Sequence, residues 1–469
     1  MNSIKYDFLV IGSGPGGQKA AIQAAKAGKK VAIIERDGIP GGHCVYRGTI
    51  PSKTLREAAL TISRLQRNAE IFEFKMREDL EVYNLMSRLY KVLESHNQLI
   101  SGQLQQNGVD FIHGRASLLS KSEVEVTKLN GETSIFRTDS IILAPGSRPR
   151  TPTDIDVDHE HILDSDSILN LVYIPQSMIV LGGGVIACEY ATIFALLGTK
   201  VYMLDKAKLP INFIDEEIVN RFLKTFTEYG GEFIGEDTYE YVKWNGVSQV
   251  ETKLKSGRII KTDKAFFALG RVANIEKLNL EKAGVELVDD RYIKVDKHYK
   301  TTADNIYAVG DVIGFPSLAS SSMEQGRYAV RHALNLEHGN TAQIFPYGIY
   351  AVPEIASIGL NEKEAIEKFG KNEVFVGKAE FEEVARAQIE GNTDGMLKIV
   401  ADRYGFILGV QIIGEIATDL IHTAEIALLN GNTINIFLDN ILNFPTMNEA
   451  YRIASLNLLN KLPKDFEEQ

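Results

Sequence analysis

The stretch Gly41 to Lys53, Gly-Gly-His-Cys-Val-Tyr-Arg-Gly-Thr-Ile-Pro-Ser-Lys, places a thiol, a hydroxyl and an amine within ten residues of one another. Reversible dithiol chemistry needs two sulfurs, one of them a thiolate. Here Cys44 is followed five residues later by Thr49, and a hydroxyl cannot close an intrachain disulfide. The chain's other cysteine, Cys188, sits in a helical run beside Glu189 and reads as a small core residue. The stretch opens a helical run predicted to begin near Ser52, with Lys53 in its first turn.

The elements around this stretch indicate what it works on. Tyr6 to Ile11 is a short apolar run of the kind that forms a buried parallel strand. It ends in Gly12-Ser13-Gly14-Pro15-Gly16-Gly17, which satisfies G-x-G-x-x-G at Gly12, Gly14 and Gly17. An alanine-rich helix runs to Ala27 and is stopped by Gly28, and a second strand, Val31 to Ile34, finishes in Glu35. Glycines permit the turn and a close backbone approach, and the helix N-terminus attracts a pyrophosphate. Glu35 is placed to accept hydrogen bonds from ribose hydroxyls. A dinucleotide-binding unit follows from strand, helix, strand and terminal acid in order.

The pattern occurs twice. Met178 to Leu181 leads into Gly182-Gly183-Gly184, with Ala187 at the third position. A helix from Val185 to Leu197 ends at Gly198, and the strand Lys200 to Leu204 ends in Asp205. Two units in one chain imply two dinucleotides held at once, with chemistry between them. An acid at Asp205 favours a free ribose 2′-hydroxyl, while Lys206 and Lys208 could partly compensate a 2′-phosphate. Arginine, the better bidentate phosphate ligand, is missing there. NAD is well supported, and NADP is left open.

Between and beyond the units, residues 54 to about 107 read as long amphipathic packing helices. Val109 to His113 reads as a strand leading into Gly114-Arg115-Ala116. Val124 to Thr127 and Ser134 to Arg137 flank a hairpin signal at Asn130-Gly131. Ile141 to Leu143 reads as a further strand, ending in Ala144-Pro145-Gly146-Ser147-Arg148-Pro149. Residues 301 to 311 read as a β-run ending in Gly310-Asp311. From about Tyr347 the pattern is α+β.

Taken together these stretches resemble the flavoprotein disulfide reductases, the family of glutathione reductase and lipoamide dehydrogenase, in which the Cys44–Thr49 segment reads Cys-x-x-x-x-Cys. The resemblance runs the length of the chain. It implies an α/β fold with two Rossmann-like domains and a C-terminal α+β dimerisation domain. The expected boundaries are 1–150 for the first part of an FAD domain, 151–274 for a NAD(P) domain, 275–341 for the second part of the FAD domain and 342–469 for dimerisation. FAD then falls to Gly12 through Gly17, Glu35, Arg36, Gly41, Gly42, His43, Cys44, Gly48, Thr49 and Lys53. Arg115, Ala116, Ala144, Gly146, Gly270, Arg271, Gly310, Asp311, Leu318 and Ala319 complete that set, with Asp311 on a ribityl hydroxyl. The nicotinamide nucleotide falls to Gly182, Gly184, Val185, Ile186, Glu189, Asp205 and Lys206. The resemblance pairs Lys53 with Glu189 beside the flavin, where a cation favours the reduced, anionic ring.

The segment Phe444-Pro445-Thr446-Met447-Asn448-Glu449 is similar to the family's His-Pro-x-x-x-Glu, with Phe444 at the position of the base. Second sulfur and base are both missing, a coherent loss of dithiol chemistry. Cys-x-x-x-x-Thr-Ile-Pro-Ser-Lys resembles one branch of the family, the Si-specific soluble NAD(P)+ transhydrogenases, as do residues 310–320, 385–389 and 445–452. That branch implies ping-pong hydride transfer from NADPH through FAD to NAD+, with Lys53, Glu189, Cys44 and Thr49 at the reacting ring. The alternatives are an NADH-driven diaphorase or quinone reductase, a lipoamide-dehydrogenase-like component, and a flavin-holding scaffold without turnover.

Bulk properties agree. A chain of 469 residues suits about three domains at roughly 150 residues each. A net charge of -11 argues against nucleic-acid partners. Two cysteines suit a reducing, cytoplasmic compartment better than a secreted framework. No signal-peptide pattern, membrane span or metal-ligand cluster is expected, and a homodimer or higher homo-oligomer is.

Overall fold

The computed structural model describes residues 4–67, 82–337, 339 and 344–463. They form two compact units, one of residues 4–55, 82–152 and 269–339, the other of residues 56–67, 153–268 and 344–463.

The first unit begins with β1 (Lys5–Ile11), α1 (Pro15–Lys26) and β2 (Val31–Glu35). Next come α2 (Gly42–Tyr46), α3 (Thr49–Arg67), which continues into the second unit, and α4 (Val82–Gln106). Strands β3 (Asp110–His113), β4 (Arg115–Leu118), β5 (Glu123–Thr127) and β6 (Thr133–Leu143) follow. β1 lies between β2 and β6, parallel to both, with Ile11 opposite Ile34 and Leu143. The strand Ile306–Ala308 adds in parallel to the end of β6, and β3 adds in parallel to β2. Leu9, Val10, Ala32, Ile33, Ile141 and Ile142 are all fully buried, as expected where helices and loops cover both faces of a parallel sheet. The helix Ala319–Ala333 crosses α1 at glycines: a Cβ on Gly326 would lie 2.2 Å from the Gly16 carbonyl oxygen. Only hydrogen fits there, and that close approach brings residues 310–325 to the start of α1.

Three expectations are corrected. The helix carrying Lys53 starts at Thr49, not Ser52, because Pro51 is tolerated within a first helical turn. It is preceded by the short α2. Ile141 to Leu143 is the end of β6 and no separate strand. Its burial alternates up to Thr138 and is continuous from Ile141, so a change of environment along one strand looks in sequence like a change of element. Residues 301–311 hold only the strand Ile306–Ala308 before a 3-10 turn at Gly310–Ile313. The expected helical run of 54–107 appears as α3 and α4, and its middle lies outside the described residues.

The second unit repeats the parallel architecture with strands Ser177–Leu181, Lys200–Leu204, Glu232–Ile234, Lys264–Phe267 and Ile162–Leu163 around the helix Val185–Leu196. Its C-terminal part is a five-stranded antiparallel sheet, in which Ile407–Ile413 pairs with both Ile355–Gly359 and Met396–Asp402. The helices Ala417–Leu429 and Glu449–Leu459 pack against it, around Tyr451, Phe381 and Ala424. Among the described residues no helix is long and apolar enough to cross a membrane.

One buried ion cluster stands out in this unit. Lys398 Nζ, on a side chain 2% exposed, reaches Asp215 Oδ2 at 2.9 Å, Glu362 Oε2 at 2.6 Å and Glu217 Oε2 at 3.3 Å. Asp215 also caps the helix Glu216–Glu228 by accepting from the Glu217 amide at 3.0 Å. Removing the cation leaves the buried Asp215 carboxylate uncompensated. Lys398→Met is therefore expected to lower unfolding stability by about 3 kcal/mol. The urea midpoint measures this, and an unchanged midpoint would show that the cluster contributes no net stability.

Candidate functional site

The glycine turn of the first unit is dictated by backbone contact. Gly12 has φ +99°, and a Cβ there would lie 2.2 Å from the Ala144 carbonyl oxygen. A Cβ on Gly17 would lie 1.9 Å from the Gly12 oxygen. α1 starts with no side-chain cap on its Gly14 N-cap, and a Cβ on Gly14 would meet no protein atom within 4 Å. The first amides of a helix have no intrahelical acceptor and carry partial positive charge, so this end offers itself to an anion.

Glu35 is tied to that turn. Its Oε2 accepts from the Ser13 amide at 2.9 Å and the Ser13 hydroxyl at 2.7 Å, while Oε1 accepts from the Asp37 amide at 3.1 Å. The second unit repeats the device. Asp205 Oδ2 accepts from the Gly183 amide at 2.5 Å and Oδ1 from the Ala207 amide at 2.7 Å. In both units the acid stands 22 residues after the middle residue of the turn. Gly182 matches Gly12, with φ +117° and a would-be Cβ 2.6 Å from the Ala268 oxygen. Gly184, like Gly14, is an uncapped helix start with open space at its Cβ position, followed by Val185 and Ile186. Lys206 and Lys208 are exposed.

The thiol turn lies in the first unit, where the structure brings four of the predicted residues together. Burial pushes the Cys44 thiol above its ordinary value, against a hydrogen bond from Thr49 and the nearby Lys53 cation, while Asp311 raises it further. Lys53 Nζ donates to Ser52 Oγ at 3.3 Å. Cys188, wholly buried beside Glu189, is pushed up by desolvation and stays a thiol. Gly41 is bound to the glycine turn, its amide donating to the Ser13 hydroxyl at 3.1 Å and the Ser13 carbonyl at 3.2 Å. A Cβ on Gly42 would lie 2.9 Å from the Gly14 Cα.

Asp311 is oriented from the other side. Ser147 Oγ donates to Asp311 Oδ2 at 2.6 Å and accepts from Arg271 Nε at 2.8 Å, and Arg271 Nη2 donates to the Ser147 carbonyl at 2.8 Å. The Gly310 amide donates to Gln325 Oε1 at 2.8 Å. Leu318 is the N-cap of the helix that starts at Ala319. Gly146 has φ +71°, and Gly270 is exposed just before the strand Arg271–Ala273. Arg36 lies 3.5 Å from Asp37, His43 and Gly48 flank Cys44 and Thr49, and Arg115 and Ala116 open β4.

Lys53 belongs to the first unit and Glu189 to the second. Glu189 is buried, and its Oε1 accepts from the Tyr350 amide at 3.0 Å. Phe444 is 73% exposed and offers only carbon where a base would be needed. Glu449 Oε2 accepts from the Ala385 amide at 3.3 Å. Among the described residues no group of three or more His, Cys, Asp or Glu is placed to hold a metal ion.

Residues 6–331 match the family model described as pyridine nucleotide-disulphide oxidoreductase, and residues 345–455 match its dimerisation domain. The chain belongs to this oxidoreductase family. Over 467 residues it is 39% identical to a soluble pyridine nucleotide transhydrogenase of Mycobacterium bovis (strain BCG / Pasteur 1173P2), covering 98% of both chains. It is 38% identical over 466 residues to the enzyme of that name from Vibrio cholerae (strain M66-2), covering 97% of this chain and 98% of the relative. Among solved structures it resembles LpdA from Mycobacterium tuberculosis, with TM-score 0.89, 26% identity and coverage of 97% and 99%. It also resembles the HOCl-induced flavoprotein disulfide reductase RclA from Escherichia coli, with TM-score 0.86, 25% identity and coverage of 96% and 99%.

FAD, the cofactor that the resemblance implies, suits what this oxidoreductase offers in its first unit. An uncapped helix start faces open space, a buried carboxylate stands beside it, and a fixed aspartate lies near a thiol and an ammonium. The sequence alone singles out neither Ser147 nor Tyr350. A hydroxyl directly after the Ala-Pro-Gly turn was the available signal for Ser147, and nothing local marked Tyr350.

Ser147→Ala removes the hydroxyl between Arg271 and Asp311 and is expected to weaken FAD binding roughly tenfold or more, at about 1.5–3 kcal/mol for a bond to a charged group. FAD release followed by fluorescence measures it, and unchanged retention would show that the Ser147 hydroxyl contributes nothing to holding FAD. The raised Cys44 thiol predicts that its alkylation by iodoacetamide accelerates with pH through and above the ordinary thiol range. Thr49→Val removes a group that favours the thiolate, so labelling at fixed pH should slow. Faster labelling, read by mass spectrometry, would show that Thr49 does not bond to the sulfur.

Proposed function

We propose that this chain is an FAD-dependent soluble NAD(P)+ transhydrogenase, transferring hydride from NADPH to NAD+. The observation that carries the reading is a thiol turn with one sulfur, Cys44 opposite Thr49, set among residues that otherwise match a dinucleotide oxidoreductase over the whole chain. Full-length similarity to proteins named as transhydrogenases supports it. When bound, FAD accepts a hydride from one nicotinamide nucleotide and yields it to the next. Among the described residues there is one nicotinamide cradle, at Gly182 to Lys206, so donor and acceptor occupy it in turn, which makes the kinetics ping-pong.

In this reading Lys53 supplies the cation that favours the reduced ring, and Glu189 is the acid at the nicotinamide side. Cys44 and Thr49 line the flavin without exchanging a disulfide. Glu35 and Asp205 take ribose hydroxyls with the lone pairs that the backbone leaves free. Residues 342–469 form a homodimer, an assignment supported by the match to a dimerisation domain. Two cysteines among 469 residues suit work in the cytoplasm.

Asp205 favours a second reading. Its carboxylate, held by the Gly183 and Ala207 amides, favours a free 2′-hydroxyl and would repel a 2′-phosphate. Lys206 and Lys208 must then supply the phosphate contacts, or the enzyme is an NADH-driven diaphorase.

The deciding experiment mixes the yellow protein with NADPH and thionicotinamide-NAD+, with NADH as donor in parallel. Turnover with NADPH is expected, and turnover with NADH alone would mean that Asp205 decides the donor and would move the reading to the diaphorase. Cys44→Ser is expected to keep most of the transhydrogenase rate. Loss of most activity with FAD still bound would give the thiol a part in the chemistry.

A further inference from the structure

In the second unit, the loop at residues 350–354 is held at nearly every position. The Tyr350 amide donates to Glu189 Oε1 at 3.0 Å, and the Val352 amide donates to Thr192 Oγ1 at 3.2 Å. Between them, the Ala351 carbonyl accepts from Arg56 Nε at 3.0 Å. The same guanidinium reaches Glu354 Oε1 at 3.1 Å through Nη2. The other oxygen of Glu354 accepts from the Thr418 amide at 3.1 Å and the Thr418 hydroxyl at 2.8 Å. The Arg56 and Glu354 side chains are only 5% and 9% exposed.

A buried ion pair is a poor device for stability alone, because apolar residues of like volume often serve as well or better. What a guanidinium adds is geometry: a planar fork whose donors point in fixed directions. Here one edge takes a backbone carbonyl and another a carboxylate three residues on. The Ala351 carbonyl and the Val352 amide belong to one planar peptide unit. Arg56 on the oxygen side and Thr192 on the nitrogen side therefore clamp that peptide from opposite edges. Thr192 lies on the helix of Glu189 and donates back to the Cys188 carbonyl at 2.8 Å. With this peptide fixed, the preceding Tyr350 amide is aimed at Glu189. Arg56 also stands three residues after Lys53 on α3, within about one helical turn.

We propose that Arg56, paired with Glu354, is a positioning residue that sets the Glu189 carboxylate through the 350–354 loop. The proposal rests on the reading of Glu189 given above.

The test compares Arg56→Lys, Glu354→Gln, Glu189→Gln and the Arg56→Lys/Glu189→Gln pair as FAD-bound proteins. Lysine keeps the charge of Arg56 but not the fork. Glutamine keeps the acceptor for Thr418 but not the charge, and gives a second probe should Arg56→Lys not fold. In Arg56→Lys the Tyr350 and Val352 amides are expected to exchange hydrogen about tenfold faster, while those of Met396–Asp402 are unchanged. Turnover with thionicotinamide-NAD+ should fall about tenfold in kcat with KM within about twofold, and Glu354→Gln should share this signature. In the Glu189→Gln background, Arg56→Lys should cost nothing further. Unchanged exchange at Tyr350 and Val352 overturns the proposal, as do kcat losses that multiply in the double variant. Wild-type kcat in Glu189→Gln overturns the role of Glu189 itself. In that case faster exchange at Tyr350 marks Arg56 as structural only, which overturns the proposal by a separate route.

Discussion

Each dinucleotide cradle of this chain depends on a carboxylate bonded to the backbone of its own glycine turn. A sharp turn of glycines leaves amides pointing inward, and an unbonded buried amide costs about 1–3 kcal/mol. Glu35 and Asp205 remove that cost, each taking the middle amide of its turn and the amide two residues beyond itself. The carboxylates are thereby fixed before any ligand arrives, so little rotamer entropy is left to lose on binding. Glu35 Oε1 and both oxygens of Asp205 each accept one backbone hydrogen bond and keep lone-pair capacity, for which a hydroxyl is a matching donor.

The same arrangement constrains the rest of the first unit. Gly12 lies so close to Ala144 that the turn following β6 is fixed against the turn following β1. Ser147, three residues after Ala144, then meets Asp311 and Arg271. Gly16 against Gly326 brings in the helix that supplies Gln325 to the Gly310 amide. Positions far apart in sequence are thus set by contacts in which a single added methyl group would collide with backbone. Cys44 inherits its surroundings from these contacts, because the Gly41 amide is anchored on Ser13.

How much of this was legible depended on the range of the interaction. The glycine turns, the terminal acids and the two strand-helix-strand units are local patterns, and Lys200 to Leu204 is found where the sequence places it. The loss of the second sulfur and of the base needed only residue identities. The continuity of β6 was not legible, since alternation gives way to an apolar run within one strand when the covering layer changes. Nor was the Ser13 bond to Glu35, because the motif explains its glycines and leaves the intervening residue free. Ser147 and Arg56 were hidden for a different reason. Their partners lie 164 and 295 residues away, and no local period encodes such a pairing.

The lone sulfur gives these constraints a chemical meaning. In a dithiol enzyme a thiolate beside the flavin is useful, and a cation, a hydroxyl and a helix start would be arranged to lower its pKa. Here Thr49 and Lys53 still act in that direction, but burial is the largest influence and the thiol is raised overall. A lone thiol is already fully reduced and has no second sulfur with which to form a disulfide, so Cys44 has no oxidised partner state to offer. Phe444, exposed and without a proton to move, supplies no base. What remains is a pair of preorganised cradles without a disulfide to take electrons onward, and hydride exchange between nucleotides is chemistry such a chain can still perform.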